Sequence, residues 1–289
     1  MKKNIDKIYD PPRPHWVGDG FHVHTFFPSG EISIRRMSPF LLLDYNPKMK
    51  VSPSGKQRGV GVHPHKGFET VTFAFHGKVA HHDSAGNSGI IGEGDVQWMT
   101  AGSGVLHKEY YEQGFSEQGG DFQMVQLWVN LPAKDKSADP KYQTLIGDQM
   151  KKYNLPDNKG TVKVFAGNYK GVTGSAKTFT NVQLFVFHLK EGASEEFELP
   201  EKDNTSLLIL DGAAEINGWS TLLNQLVLFK NEGSKIGIHA LKETTLLLMS
   251  GAPIDEPIAA YGPFVMNTYA QIDQAFNEFS SGKYGHLEA

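Results

Sequence analysis

The 289-residue chain is 39% apolar and 21% charged, with a formal net charge of −4 at pH 7; this fits one large globular domain or two ordinary ones. Such a charge balance gives no support to direct nucleic-acid binding, which needs a dense Lys/Arg surface. With no cysteine there is no disulfide framework, iron–sulfur cluster or thiol nucleophile, so any metal must sit on nitrogen and oxygen ligands.

The N-terminus, "MKKNIDKIYDPPRPHW", has two lysines but no apolar segment of signal-peptide type after them. No uninterrupted apolar run is long enough to span a membrane. A cytoplasmic location is therefore expected, with no membrane partner. Strand-like segments then dominate: "FHVHTFF", "ISIRRMSPFLLLDY", "ETVTFAF", "DVQWMT", "FQMVQLWVN", "VKVFAG", "VQLFVFHL", "SLLILDG", "QLVLF" and "TTLLLMS". They are short, rich in β-branched, aromatic or aliphatic residues, and mostly separated by Gly, Asn, Asp or Pro. Val182 to Phe187 alternates, whereas Leu207 to Leu210 is continuously apolar, as a sandwich interior requires. The pattern predicts an all-β sandwich or barrel.

Leu131 to Gly160 is polar and punctuated by prolines, with a short helical candidate in its middle. It reads as a linker and predicts domains at 1–135 and 161–289, with 136–160 between them. Near the end, Asn267 or Thr268 can cap a helix whose apolar residues Ile272, Ala275, Phe276 and Phe279 share a face, with Gly282 as its stop. The two halves are weakly alike: "HGKVAHHDSAGNSGIIGEGDVQWMTAG" and "DGAAEINGWSTLLNQLVLFKNEG" both read as a Gly-turned strand pair leading into a further strand. This suggests a duplicated barrel.

The chemistry-bearing residues concentrate in the first half. On a strand, His63 and His65 point to one face, roughly 6.5–7 Å apart at Cα. Pro64 between them lacks an N–H, which suits an edge or a barrel rim. His107 and Glu109 form a second pair with the same spacing, after the Gly102/Gly104 turn. Together the pairs offer three imidazoles and a carboxylate, a set for a divalent first-row metal such as iron, nickel, manganese, cobalt or zinc. His22 and His24 repeat the spacing without an adjacent acid and read as a polar strand face. His81 and His82 are adjacent, point to opposite faces and run into a turn, which predicts a surface role. Glu69 reads as a ligand, as a partner that fixes a ligating imidazole, or as a buried structural acid, the second being favoured.

These motifs, "HPHKGFETVT", "HHDSAGNSGIIGEGDVQWMTAGSGVLHKE", "QLWVNLPAKDKSADPKYQ", "EPIAAYGPFVMNT" and "PFLLLDYNP", resemble the pirin family of the cupin superfamily over nearly the full chain. The resemblance implies a bicupin: two antiparallel double-stranded β-helix (jelly-roll) barrels, here with a C-terminal helix. It implies one metal in the N-terminal barrel, held by His63, His65, His107 and Glu109. Iron(II) is the first expectation, with nickel, manganese, cobalt, zinc or copper as alternatives. The segment matching "HPHKGFE" in the second half, "EGASEEFELPEKDN", has no histidine, so that barrel is expected to be metal-free. The stretch after "VGDGF", His22-Val23-His24, departs from the apolar residue and arginine usual in pirins.

Bacterial pirins resemble quercetin 2,3-dioxygenases, which implies a flavonol and dioxygen as substrates, carbon monoxide as a product, and Glu109 as the base for the flavonol 3-hydroxyl. Phe68, Phe73, Met99, Met124 and Trp128 are candidates for the cavity wall, although each taken singly reads more readily as barrel core. The alternative reading is an iron-dependent redox sensor that binds a protein partner, and a third is another cupin reaction on a different phenol.

Overall fold

A computed structural model describes residues 1–288. The chain forms two compact units that do not follow the sequence order. One comprises Arg13–Arg35, Phe40–Asp148 and the segment from Ile254 onward; the other comprises Met1–Pro12, Arg36–Pro39 and Gln149–Pro253. The boundaries expected at 135 and 161 thus miss an exchange at both ends. The amphipathic start Ile5–Tyr9 pairs with Leu226–Phe229 and packs Ile5 and Ile8 on the core of the second unit.

Each unit is a jelly roll of one seven-stranded and one four-stranded antiparallel sheet, as the resemblance implied. In the first unit the larger sheet runs in the order Lys141–Leu145, Val96–Thr100, Phe68–His76, Gly120–Asn130, Phe40–Val51, Phe21–Phe27 and His15–Val17. The smaller sheet runs Gly59–His65, Val105–Tyr111, Val79–Asp83 and Ser88–Ile91. Alternation sends one face of each strand into the barrel. In the second unit, Ser194–Glu198 and Lys235–Ala240 hold the matching places in the smaller sheet. Their buried residues Phe197, Ile236, Ile238 and Ala240 join Tyr169 and Phe187 in an apolar cluster. That interior is filled by side chains and offers none of the first unit's imidazoles.

The helical candidate expected within 136–160 is instead the strand Lys141–Leu145, paired with Val96–Thr100. Its sequence, Lys-Tyr-Gln-Thr-Leu, has the β-branched and aromatic character that suits an added edge strand. The rest of the segment holds the strand Lys152–Asn154, paired in the other unit, and short 3-10 turns. Likewise Arg35 to Pro39 is turn, and the strand predicted from Ile32 starts at Phe40. A short helix, Gln113–Gln118, was not anticipated; the Glu112 carboxylate caps it by accepting from the backbone N–H groups of Gly114 and Phe115, both at 2.9 Å.

The terminal helix Tyr269–Ser280 forms with a capping box between Thr268 and Gln271. Ile272 and Ala275 are buried and Phe276 packs beside them, whereas Phe279 is 40% exposed. The helix belongs to the first unit. Lys66 donates to Glu278 Oε2 at 2.6 Å and to the Ser103 carbonyl at 2.8 Å. Lys136, itself buried, donates to the carbonyls of Gly67 and Val265 and to Asn130 Oδ1. These bonds tie the segment after Ile254 to the strand ends beside His65.

Candidate metal centre

Gly59–His65 pairs with Val105–Tyr111 so that His63 lies opposite His107 and His65 opposite Val105. The register puts three imidazoles on one inward face. Ring centroids are 4.2 Å apart for His63 and His107, 4.7 Å for His65 and His107, and 4.8 Å for His63 and His65. Their ligating atoms all lie within 4.8 Å of one another. A bulge follows His107, and Glu109 then meets His107 within a second such group, whose third member is His81.

Hydrogen bonds assign the tautomers of two rings. His63 Nδ1 lies 2.8 Å from the Gly61 carbonyl oxygen, and His65 Nδ1 lies 3.3 Å from that of Pro263. A carbonyl only accepts, so each Nδ1 carries a proton, and Nε2 is the nitrogen left to bind a metal. Burial holds His65 and His107 well below the usual imidazole range, the neighbouring rings adding to the effect. Both are therefore neutral, the state a metal requires. Both nitrogens of His107 are buried without a hydrogen-bond partner. Native interiors rarely leave such atoms unmet, and a cation is the partner that the one lone pair of the neutral ring suits. The residues present fit a divalent metal.

The Glu109 carboxylate is held by neutral donors. Gln97 Nε2 and Thr72 Oγ1 donate to Oε1, and Gln126 Nε2 donates to Oε2 at 2.7 Å. These groups belong to one row across the larger sheet, in which Thr25, Asp44, Gln126, Thr72 and Gln97 are successive cross-strand partners. At the far end of the row Thr25 Oγ1 donates to Asp44 Oδ1. Asp44 is raised above the usual carboxylate range by burial, against the pull of that hydrogen bond.

His63, His65, Glu109, Asp44 and Gln126 form the polar side of a cavity of about 190 Å³. Val17, Phe21, Val23, Val60, Met124 and Trp128 make the rest apolar. Of the predicted wall residues, Met124 and Trp128 line this cavity. Phe68 stands behind them, its ring 4.3 Å from Trp128 and 5.0 Å from His65. Met99 packs in a separate cluster with Ala101, Val105 and Tyr142. Phe73 and Glu69 alternate with Thr72 and Thr70 and so occupy the opposite face of their strand. Glu69 accepts from Thr100 Oγ1 at 2.7 Å and touches no ligating imidazole, so it does not orient one. Burial pushes its carboxyl up to about 7, against the hydrogen bond from Thr100.

The surface role expected for His81 is also corrected. Its strand lies between Val105–Tyr111 and Ser88–Ile91, and alternation drives His81 inward with Val79 and Asp83. His82 alone faces outward, where its Nδ1 lies 2.9 Å from the Tyr110 hydroxyl. His22 and His24 alternate with the cavity-lining Phe21 and Val23 and point away from the cavity; the His22 ring sits 4.8 Å from Trp16. Asp44, Thr72, Gln97 and Gln126 had not been singled out from sequence. Alternation offered a signal for one of them, since Gln126 shares its strand face with Met124 and Trp128.

Known proteins with this sequence pattern support the architecture. The Pirin family profile matches residues 20–129, and that of the Pirin C-terminal cupin domain matches residues 184–285. A Pseudomonas aeruginosa protein named "Putative quercetin 2,3-dioxygenase" is 43% identical over 284 residues, covering 98% of this chain and 99% of its own. A pirin-like protein of Solanum lycopersicum is 36% identical, covering 93% of this chain and 88% of its own. The crystal structure of a quercetin 2,3-dioxygenase from Acinetobacter baumannii superposes with a TM-score of 0.93 at 41% identity, covering 100% of both chains. With both barrels matched and relatives aligned nearly end to end, this chain belongs to the pirin family.

Proposed function

We propose that the protein is a metal-dependent dioxygenase that opens the central ring of flavonols such as quercetin with dioxygen and releases carbon monoxide. The observation that carries this reading is the meeting of three imidazoles at one end of a mainly apolar cavity, with the buried, hydrogen-bonded carboxylate of Glu109 next to His107. The names of its relatives in Pseudomonas and Acinetobacter point the same way.

His63, His65 and His107 would hold the metal, with Glu109 as the fourth ligand. When bound, the metal supplies Lewis acidity that stabilises the flavonol as its anion. The protein does the rest. Glu109 accepts the 3-hydroxyl proton, while Gln97, Thr72 and Gln126 fix its two oxygens. Phe21, Val23, Met124 and Trp128 pack on the flat faces of the substrate and exclude water. Asp44 lies where a hydroxyl of the substrate can donate to it. Iron(II) is the metal proposed first, because the reaction consumes dioxygen and the ligands are imidazole and carboxylate.

The test is reconstitution with Fe(II), Ni(II), Mn(II) or Co(II), following quercetin absorbance with and without oxygen and assaying carbon monoxide. Oxygen-dependent loss of quercetin with release of carbon monoxide is expected. Metal binding without turnover by any of the four would overturn the enzyme reading and favour a metal-dependent sensor of the pirin type.

A further inference from the structure

The centre holds more nitrogen ligands than three. His81 is fully buried, and its Nε2 lies 3.2 Å from Asp83 Oδ2. Asp83 cannot easily turn away, because its Oδ1 accepts from the backbone N–H groups of Ala85 and Asn87 at 3.0 and 2.9 Å. The Asn87 side chain reaches both carboxylate oxygens. The Tyr142 ring stacks on the imidazole, centroids 4.8 Å apart and planes 19° from parallel. The ring is thus fixed in position and in plane. Its remaining nitrogen, Nδ1, is buried without a hydrogen-bond partner, as are both nitrogens of His107, whose ring centroid is 5.4 Å away. A carboxylate on one imidazole nitrogen with the other left open is the arrangement that orients a metal-ligating histidine.

We propose that His81 is a metal ligand. With His107 and Glu109 it completes an inner ligand set, whose ligating atoms lie within 4.8 Å of one another, beside the outer set of His63, His65 and His107. His107 belongs to both, so the centre offers one metal ion two adjoining stations. The outer station lies at the cavity, which His63 and His65 line; the inner one runs from Glu109, which also lines the cavity, to His81, against Tyr142 and Asp83. Glu109 serves the inner station in the conformation that Gln97 and Gln126 impose. The proposal rests on the metal-centre reading given above but requires no turnover.

The experiment is anaerobic Co(II) titration by calorimetry and visible absorption on the full chain. Wild type should bind one equivalent. The double variant His63→Phe/His65→Phe, folded by near-UV circular dichroism, should still bind one equivalent with affinity lowered tenfold or more, and should lose it when His81→Phe is added. If wild type binds and the folded double variant does not, the inner station does not exist and the outer site stands. If wild type binds no cobalt, the metal reading fails together with this one. Should the double variant not fold, His63→Ala replaces it, since His63 is the least buried of the three rings. Adding His81→Phe to it should then weaken binding at least tenfold further, and unchanged binding would overturn the proposal.

Discussion

The carbonyl oxygen of Pro263 lies 3.3 Å from Nδ1 of His65, across 198 residues of chain. That bond fixes the tautomer and the aim of the imidazole, so the orientation of a ligand in the first part of the chain depends on a hairpin near its end. The hairpin Ala259–Tyr261/Phe264–Met266 is held by Phe264, fully buried against Phe276 with centroids 4.8 Å apart. Phe264→Ala should cost about 3–5 kcal/mol of stability. It should also weaken metal binding, because partners that orient a ligand typically contribute about 10–100-fold in affinity. Thermal unfolding and metal titration at a temperature where the variant is folded read the two effects. Lowered stability with unchanged affinity would show that Pro263 does not position His65.

Gln126 touches Glu109 and also faces the cavity. Gln126→Leu removes a hydrogen bond to a charged group, a loss of about 1.5–3 kcal/mol. If the carboxylate acts in turnover, the loss should fall on kcat by roughly tenfold to a hundredfold, with KM little changed. Steady-state kinetics on quercetin decide this, and a change confined to KM would make Gln126 a substrate contact instead.

Asp44 stands at the other end of the polar row, where one oxygen accepts from Thr25 and the side chain lines the cavity. Asp44→Asn keeps the shape and alters the acceptor. Metal affinity should be unchanged, since the residue is not among the ligating groups. KM should rise for flavonols with hydroxyl groups away from the 3-position, and much less for 3-hydroxyflavone. Equal effects on both substrates would remove Asp44 from substrate recognition.

Glu69 sets a pH dependence of stability. Its carboxyl is pushed up to about 7 by burial, from an ordinary 4.5. Between those values the folded state keeps a proton that the unfolded chain has released, so stability falls as pH rises from about 4.5 to about 7 and is level above that. The drop is of order 3 kcal/mol. Glu69→Gln removes the charge and should flatten this part of the stability profile while raising the melting temperature at pH 8. An unchanged slope across that window would show that the carboxyl ionises without cost.

Much of the barrel and of its clustered histidines could be read in sequence because both depend on short-range rules. Alternation predicts that His63 and His65 share a face, as do His107 and Glu109, and turn residues mark most strand ends. What the sequence hid was set by long-range pairing. Ile5–Tyr9 looks like any edge strand, and nothing local says that it pairs with residues more than two hundred positions away. His81 next to a turn looked exposed because its burial depends on strands from both sides. Of the roles open to Glu69, the buried structural acid is the one that fits: an odd offset from Thr72 puts it on the other face, and proximity in sequence to His65 is no guide to contact. Gln97 is one of three apolar-flanked glutamines in the first barrel, and only the register with Thr72 reveals it as a partner of Glu109.

The distance between His65 and Pro263 also has a consequence for biosynthesis. Ribosomes add about 5–20 residues per second, so about 10–40 s pass between the emergence of the first ligands and that of the carbonyl that orients one of them. During that interval the nascent barrel has histidines in place but an unfixed ring. The aim of the His65 imidazole is thus set only once the hairpin Ala259–Tyr261/Phe264–Met266 has been made and has folded.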